Sequence, residues 1–131
     1  MRPVWLVVLC GYLVAWVPLN FATLATQSLP SIGPRGAAAV LELAVHGAAA
    51  LLCAAAGWML WSGHAAGAGL ARAALAVTAI VTIQALRGSA LPRDVPPGLA
   101  APLAAVTIAH AAAWILYLGR SRRLRAWLRE T

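Results

Sequence analysis

The chain has 131 residues, of which 63% are hydrophobic and only 10% are charged. Soluble domains carry about 25% charged residues, so this composition leaves too little polar surface to cover a water-soluble globule. The net charge is +7, but half of the ten arginines follow the last apolar segment, which is typical of a membrane topology signal rather than of nucleic-acid binding.

The first apolar segment covers residues 3–22 and carries no charge. Its length suits a membrane-spanning helix and exceeds the apolar part of a secretory signal peptide, so we predict a retained transmembrane helix. Pro18 lacks a backbone donor and is expected to kink or end this helix. Residues 23–36 contain two prolines and two glycines and are predicted to form a loop.

Two further apolar segments cover residues 37–61 and 70–86, and the Gly-rich residues 62–69 join them. This connection is too short to hold a domain, so the second and third helices are predicted to be antiparallel neighbours. The next connection, residues 88–98, contains three prolines and is predicted to be a stiff loop.

The fourth apolar segment, residues 98–119, carries no formal charge, and a helix of this length rises about 33 Å, enough to cross the core of a bilayer. In the tail, residues 120–131, three apolar side chains recur at the spacing of a short helix that lies at the membrane surface. They are Leu124, Trp127 and Leu128. We expect the tail to bind anionic lipid through Arg120, Arg122, Arg123, Arg125, Trp127 and Arg129.

These segments predict an all-α fold in a single domain over residues 1–131, an integral membrane protein with four transmembrane helices in an up-down bundle. Seven arginines then lie on the side of the two termini, and three lie on the other side. The three are Arg35, Arg87 and Arg93. The positive-inside rule therefore predicts that both termini are cytoplasmic. The arginine- and alanine-rich usage is typical of a GC-rich bacterial genome, so we expect the bacterial inner membrane.

Helices associate in lipid where small residues let their backbones approach closely. The fourth segment carries four alanines at i+4 spacing: Ala101, Ala105, Ala109 and Ala113. The second segment has Ala44 and Ala48 in one row, at a similar depth. The alanine row of the fourth helix either packs inside the bundle or is a docking surface for another subunit, and we expect it to pack against the second helix.

Ionisable side chains inside apolar segments point to function, because burying a charge in a bilayer is costly. Glu42 and His46 are four residues apart and share one face of the second helix. Antiparallel neighbours bring further polar residues to this depth, and the predicted cluster consists of Asn20, Glu42, His46, Gln84 and Arg87. It is either a ligand or proton site, or a structural contact in which Glu42 pairs with Arg87 or His46 and pins the second helix to the third.

The histidines allow one cofactor hypothesis. His46 and His110 lie on helices of the same direction at depths about 4.5 Å apart, so they could ligate a b-type haem, although a bundle without a cofactor is the simpler interpretation. Cys10 and Cys53 lie within apolar segments and are predicted to be buried rather than bridged or metal-bound. No nucleotide-binding, zinc-hydrolase or paired-carboxylate motif occurs, so we do not expect an enzyme.

The end of the fourth segment carries a short pattern made of Trp114, Tyr117, Ser121, Arg123, Leu124 and Trp127. It resembles a bacterial family of small four-helix inner-membrane proteins of unknown function, whose members end in a Trp-x-x-Tyr and Ser-x-Arg motif. The chain departs from this pattern at Leu124, where valine is commoner, and at Ala126 and Trp127, where Thr-Phe is usual. The resemblance implies a four-helix inner-membrane protein and transfers no catalytic residue.

Two functional classes fit these observations. A structural or accessory subunit of a larger membrane complex is favoured by the short connections, the alanine rows and the lack of catalytic motifs. A small membrane carrier, or a b-haem or quinone redox protein, would instead use Glu42, His46 and His110. The expected partners are the lipid bilayer and other membrane subunits or a second copy, and not nucleic acid.

Overall fold

The computed structural model describes residues 2–91, 95–96 and 98–130, with only the backbone at Arg35. Arg93, which contributes to the predicted charge asymmetry, lies outside the described residues. Within them every regular element is helical, and four helices are long and apolar enough to cross a membrane. The predicted all-α fold is confirmed, and the chain is a multi-pass membrane protein.

The first span, Val4–Pro34, is longer than predicted. It consists of α1 (Val4–Gly11), a π-helical turn (Tyr12–Trp16), α2 (Val17–Ser28) and a 3₁₀ turn (Leu29–Ser31). The loop predicted for residues 23–36 is therefore wrong for most of its length. The hydroxyls of Thr23 and Thr26 donate to carbonyl oxygens of the same helix, so the helical conformation satisfies these polar groups.

Pro18 does not end the first helix, which instead widens one turn earlier. In the π-helical turn the N–H of Val17 donates to the carbonyl oxygen of Tyr12, five residues back. Pro18 cannot donate to the carbonyl of Val14, and its ring would crowd that carbonyl in a regular α-helix. A wider turn at this position accommodates the proline within a continuous helix.

The second span, Gly36–Trp61, belongs to α3 (Ile32–Trp61). Gly36 has φ 70° and ψ −163°, a conformation that only glycine adopts at low cost, so the chain turns there between the first two spans. From residue 37 onward the helix is regular, and the prediction for residues 37–61 is confirmed.

A turn of only three residues, 62–64, follows the second span. Gly63 has φ 77°, and the N–H of His64 donates to the carbonyl oxygen of Met59 at 3.0 Å, which is the hydrogen-bond pattern of a Schellman cap. The third span, α4 (Ala65–Arg87), begins at once and packs along the second. The antiparallel pairing is confirmed, but the Gly-rich connection predicted for residues 62–69 is wrong beyond residue 64.

Residues 88–99 join the third span to the fourth and contain no helix where they are described. The fourth span is α5 (Ala100–Arg120), and α6 (Arg122–Glu130) follows it. The spans pack in chain order, first on second, second on third and third on fourth. The second and fourth spans do not pack along each other. Side chains on these two spans therefore do not face one another.

The hydrophobic core lies at the end of the bundle that holds both termini, and we call this end the terminal half. Its fully buried side chains include Leu6, Leu9, Leu13, Cys53, Leu60, Leu118 and Leu124. Cys10 is buried in the same core, and both cysteines are free thiols, as predicted. The opposite end, which contains residues 28–36, 88–91, 95–96 and 98–99, is the loop half.

Two glycines allow the helices of the terminal half to approach closely. A Cβ atom added to Gly57 would lie 2.6 Å from Cγ2 of Val14, and one added to Gly67 would lie 2.8 Å from the backbone nitrogen of Leu60. Both distances are far below van der Waals contact. Glycine at these positions therefore permits the close packing of the second span against the first and third.

Candidate functional site

A partly open cavity of about 720 Å³, the loop-half cavity, lies between the first three spans. Its polar lining comes from Asn20, Thr23, Gln27, His46, Thr78 and Thr82. Tyr12, Trp16 and Phe21 contribute aromatic rings from the first span, and Val95 lines the cavity from the connection between the third and fourth spans. The volume lies within the range of about 300–1,000 Å³ that is usual for small-molecule sites.

Four polar side chains of this cavity each form a hydrogen bond with the backbone carbonyl four residues earlier in the same helix. Asn20 Nδ2 donates to the backbone carbonyl four residues earlier at 2.9 Å, and the hydroxyls of Thr23 and Thr78 do the same at 3.0 and 2.8 Å. His46 Nδ1 lies 2.8 Å from the carbonyl oxygen four residues earlier. Because a carbonyl oxygen only accepts, that nitrogen carries the hydrogen. These side chains thus donate to their own helices.

Glu42 lies one turn nearer the loop end than His46 and holds the connection that follows the third span. Ser89 Oγ donates to Oε1 of Glu42, and the N–H of Ala90 donates to Oε2 at 2.7 Å. The expected pairing with Arg87 is wrong, because the helix ends at that residue and its side chain is exposed. Glu42 therefore pins a connection to the second span rather than pinning one helix to another.

The structure divides the predicted polar cluster. Asn20 and His46 both line the loop-half cavity, whereas Gln84 and Arg87 are exposed and do not line it. Sequence reasoning missed Thr23 and Gln27 because it assigned residues 23–36 to a loop. Thr78 and Thr82 were missed as well, although their spacing of four residues on the third segment places them on one helical face.

A second cavity, of about 310 Å³, lies between the first, third and fourth spans and is lined by His110. Tyr12 and Trp16 line both cavities, and the ring centroid of His110 lies 4.8 Å from that of Tyr12. His46 and His110 therefore open onto different cavities, because their helices do not pack along each other. This geometry does not place the two imidazoles around one iron, and it gives no support to the haem hypothesis.

The four alanines of the fourth span, Ala101, Ala105, Ala109 and Ala113, are all exposed, and we call them the alanine face. The expectation that they pack against the second span is wrong. The fourth span packs on the third through its opposite side, where Ala111 and Leu118 are buried. Ala44 and Ala48 on the second span are exposed as well.

Aromatic side chains link the first and fourth spans in the terminal half. The ring centroids of Trp5 and Trp114 are 6.4 Å apart, and those of Trp114 and Tyr117 are 5.8 Å apart, both in edge-to-face arrangements. The guanidinium carbon of Arg2 lies 3.9 Å from the ring centroid of Trp61, a cation–π contact between the N-terminus and the end of the second span.

The tail forms the predicted helix, and Ser121 caps it by accepting a hydrogen bond from the N–H of Leu124 at 3.2 Å. Its apolar side was expected to face lipid, which is wrong for Leu124. This residue is fully buried in the core of the terminal half, and Trp127 and Leu128 pack against that core. The arginines Arg120, Arg122, Arg123, Arg125 and Arg129 are exposed. The tail therefore covers the end of the bundle with its apolar side and presents its charges outward.

No protein-family model matches the chain, and no curated protein and no solved structure is detectably similar to it. The resemblance at the end of the fourth segment therefore stays a prediction. Among residues 2–91, 95–96 and 98–130, no three histidine, cysteine or acidic side chains are grouped closely enough to hold a metal ion.

Proposed function

We propose that the protein is an accessory subunit of a larger membrane complex and that it docks through its alanine face. The exposure of Ala101, Ala105, Ala109 and Ala113 carries this proposal. Over the middle of the span, Ala112 joins them, and the exposed side chains of Val106 and Ile108 border this small-residue surface. A partner transmembrane helix could approach the backbone closely along this surface.

The physical chemistry of association in lipid supports this assignment. Lipid tails are as apolar as leucine, so helices gain little from hydrophobic burial and associate mainly through close packing. The fourth span has the smallest share of buried residues of the four spans, 11% compared with 22–28%. The span that contributes least to the internal packing thus also carries an exposed row of four alanines.

The b-haem form of the redox alternative has less support from the geometry. It requires His46 and His110 to ligate one iron, and the two residues open onto different cavities. A carrier or quinone role does not need the two histidines to meet, and it stays the alternative to the accessory role.

The test is site-specific photo-crosslinking in native membranes, with the crosslinker at Ala109. A matched control carries the crosslinker at Ala55, an exposed alanine of the second span. We expect a discrete adduct with a second membrane protein from position 109 and only lipid adducts from position 55. Lipid adducts from both positions, or an adduct between two copies of this chain alone, would contradict the accessory role.

A substitution series separates docking from folding. Ala105→Leu adds bulk to the exposed face, so we expect the monomer to keep its melting temperature while the crosslinked product disappears. Ala111→Leu adds the same bulk on the buried side, where Ala111 is 7% exposed, and should destabilise the monomer itself. If Ala105→Leu unfolds the monomer, the alanine face has a structural role instead.

We further propose that the bundle lies in a bacterial inner membrane with both termini in the cytoplasm. The support is the excess of arginine on the side of the termini, seven against three in the sequence. Reporter fusions test it: a C-terminal fluorescent protein should be active, and a C-terminal alkaline phosphatase should be inactive. The reverse pattern would place the termini outside.

The exposed arginines of the tail are proposed to contact anionic lipid headgroups. Each basic residue near a charged membrane surface is worth about 1 kcal/mol. Native mass spectrometry of the full chain from phosphatidylglycerol-containing membranes should show retained anionic lipid. Replacement of Arg122, Arg123, Arg125 and Arg129 by glutamine should remove most of it, while Arg87→Gln should not. Equal retention in both variants would argue against the tail as the lipid-binding element.

A further inference from the structure

The loop-half cavity has a polar lining that is specific enough to define the kind of molecule it takes, and this inference does not depend on the accessory role. We propose that the cavity binds a neutral amphiphile whose aromatic head group carries hydroxyl donors, of the phenol or hydroquinone class.

The first argument is the direction of the hydrogen bonds. Asn20, Thr23 and Thr78 each donate to a carbonyl of their own helix at 2.8–3.0 Å. A threonine hydroxyl has a single hydrogen, so the oxygen lone pairs are what Thr23 and Thr78 offer to the cavity. Asn20 retains its carbonyl oxygen as an acceptor and one N–H as a donor. A ligand that satisfies the two threonines must itself supply hydrogens.

Thr78 shows this directionality most clearly. Its oxygen lies 2.8 Å from the carbonyl of Ala74 and 3.2 Å from Sγ of Cys53. The shortest of these contacts takes the hydroxyl hydrogen to the carbonyl, so the lone pairs of Thr78 Oγ1 remain as acceptors in the wall of the cavity. The thiol of Cys53 lies 4.0 Å from the same carbonyl, so its hydrogen has two possible acceptors.

The second argument is the character of the remaining lining. Tyr12, Trp16 and Phe21 lie along one side of the cavity, and rings of this kind pack edge-to-face or offset against a flat aromatic group. No arginine, aspartate or glutamate is among the described residues that line it. A charged ligand would lose its hydration there without gaining an opposite charge, so a neutral head group is favoured.

The third argument is the position of the cavity. It is partly open, it lies between membrane spans, and it extends from Tyr12 in the π-helical turn to Gln27 near the end of α2. A molecule dissolved in the bilayer could enter between the helices with its head group at the polar residues. Its apolar tail would stay in lipid, so that no apolar surface of the ligand is exposed to water.

The experiment is equilibrium binding to the full chain in lipid nanodiscs, with empty nanodiscs as the baseline. The probes are a short-chain alkylhydroquinone and its dimethyl ether, which has the same ring and no hydroxyl hydrogens. We expect saturable binding of the hydroquinone and at least tenfold weaker binding of the ether. Equal binding of the two, or no saturable binding above the baseline, would overturn the proposal.

A matched pair of variants locates the site. Thr23→Val removes an acceptor that lines the cavity, and Thr26→Val removes a hydroxyl on the same helix that does not line it. Loss of one net hydrogen bond should weaken hydroquinone binding about 3- to 10-fold in the first variant and leave it unchanged in the second. Equal effects of the two variants would show that the hydroquinone binds elsewhere. If both the native chain and Thr23→Val bind the ether more tightly than the hydroquinone, the site is not lined by acceptors.

Discussion

The terminal half and the loop half of the bundle use the same four apolar spans, yet one is filled and the other is hollow. In the terminal half, Leu9, Leu13 and Leu60 are fully buried, and glycines bring the helices together. In the loop half the first and third spans leave a cavity of about 720 Å³. The difference shows that helix contact in this protein depends on where small residues lie rather than on how apolar the helices are.

The π-helical turn lies at the boundary between the two halves. Tyr12 and Trp16, the first and last residues of this turn, line both cavities, whereas Leu13 between them is fully buried. The same turn is where Leu13 and Val14 meet Gly57. Beyond the turn the first span still approaches the second, since a Cβ atom added to Gly47 would lie 3.0 Å from the ring of Phe21. The loop-half cavity therefore lies beside this contact rather than replacing it.

The largest expected effect comes from shortening matched leucines in the two halves. Leu13→Ala removes a fully buried side chain and should lower the free energy of unfolding by about 2–5 kcal/mol. Leu24→Ala, on the same span, removes a half-buried side chain that already borders the cavity, and should cost less than about 1 kcal/mol. Unfolding in mixed micelles measures both. Equal costs would mean that the loop half is as well packed as the terminal half.

A slightly smaller effect is expected at Gly67. An alanine Cβ there would lie 2.8 Å from the backbone nitrogen of Leu60 and 2.9 Å from the backbone carbon of Met59. Backbone atoms cannot rotate aside, so the cost should reach the upper end of the overpacking range, about 3 kcal/mol.

Gly69→Ala is the control for this substitution, because nothing lies within 4 Å of the added atom. Alanine is the better helix former by about 0.5–1 kcal/mol, so this variant should melt at the same temperature or higher. A loss of stability in Gly69→Ala as large as that in Gly67→Ala would refute the close approach at the turn between the second and third spans.

Much of the fold could be predicted from the sequence, because long uncharged segments of about 20 residues have few alternatives to membrane-spanning helices. The errors fell where local signals were overridden by context. Two prolines and two glycines within residues 23–36 favour a loop, but in the structure only a 3₁₀ turn at Leu29–Ser31 and the positive φ of Gly36 interrupt the α-helix. Turn-forming residues mark where a helix could end, and only the packing of the neighbouring helix decides where it does.

The candidate site was less predictable than the fold, because helical spacing gives the relative faces of one helix but not the face that turns inward. The alanine face illustrates this limit, since a row at strict i+4 spacing is equally consistent with internal packing and with exposure. Glu42 illustrates a second limit. Its partners Ser89 and Ala90 lie in an irregular connection, whose path no periodicity describes.

The contact of Glu42 can be tested by a double-mutant cycle with Ser89. Ser89→Ala removes one donor to the carboxylate and should cost about 1.5 kcal/mol, and the cost should largely vanish when Glu42→Leu, which has no acceptor, is already present. Arg87→Gln is the control and should be additive with Glu42→Leu. Additive costs at Ser89 would show that the connection is not held by this carboxylate, and would leave the loop half without its best-defined polar contact.

The smallest expected effect is at the opposite end, where Arg2 lies over the ring of Trp61. An exposed cation–π contact contributes about 0.5–1 kcal/mol, and here it would add to a half that is already well packed. The stability of a single variant is therefore a weak readout, and the coupling energy between the two side chains is the more informative measurement.

The cycle of Arg2→Gln with Trp61→Leu should give a coupling of about 0.5–1 kcal/mol. The same cycle with Trp58→Leu should give none, because Trp58 is an exposed tryptophan of the same helix outside this contact. Equal coupling at both tryptophans would mean that Arg2 acts through the general charge of the terminal half. A coupling confined to Trp61 would show that the N-terminus is fastened to the second span, so that the terminal half is closed by a polar contact as well as by its core.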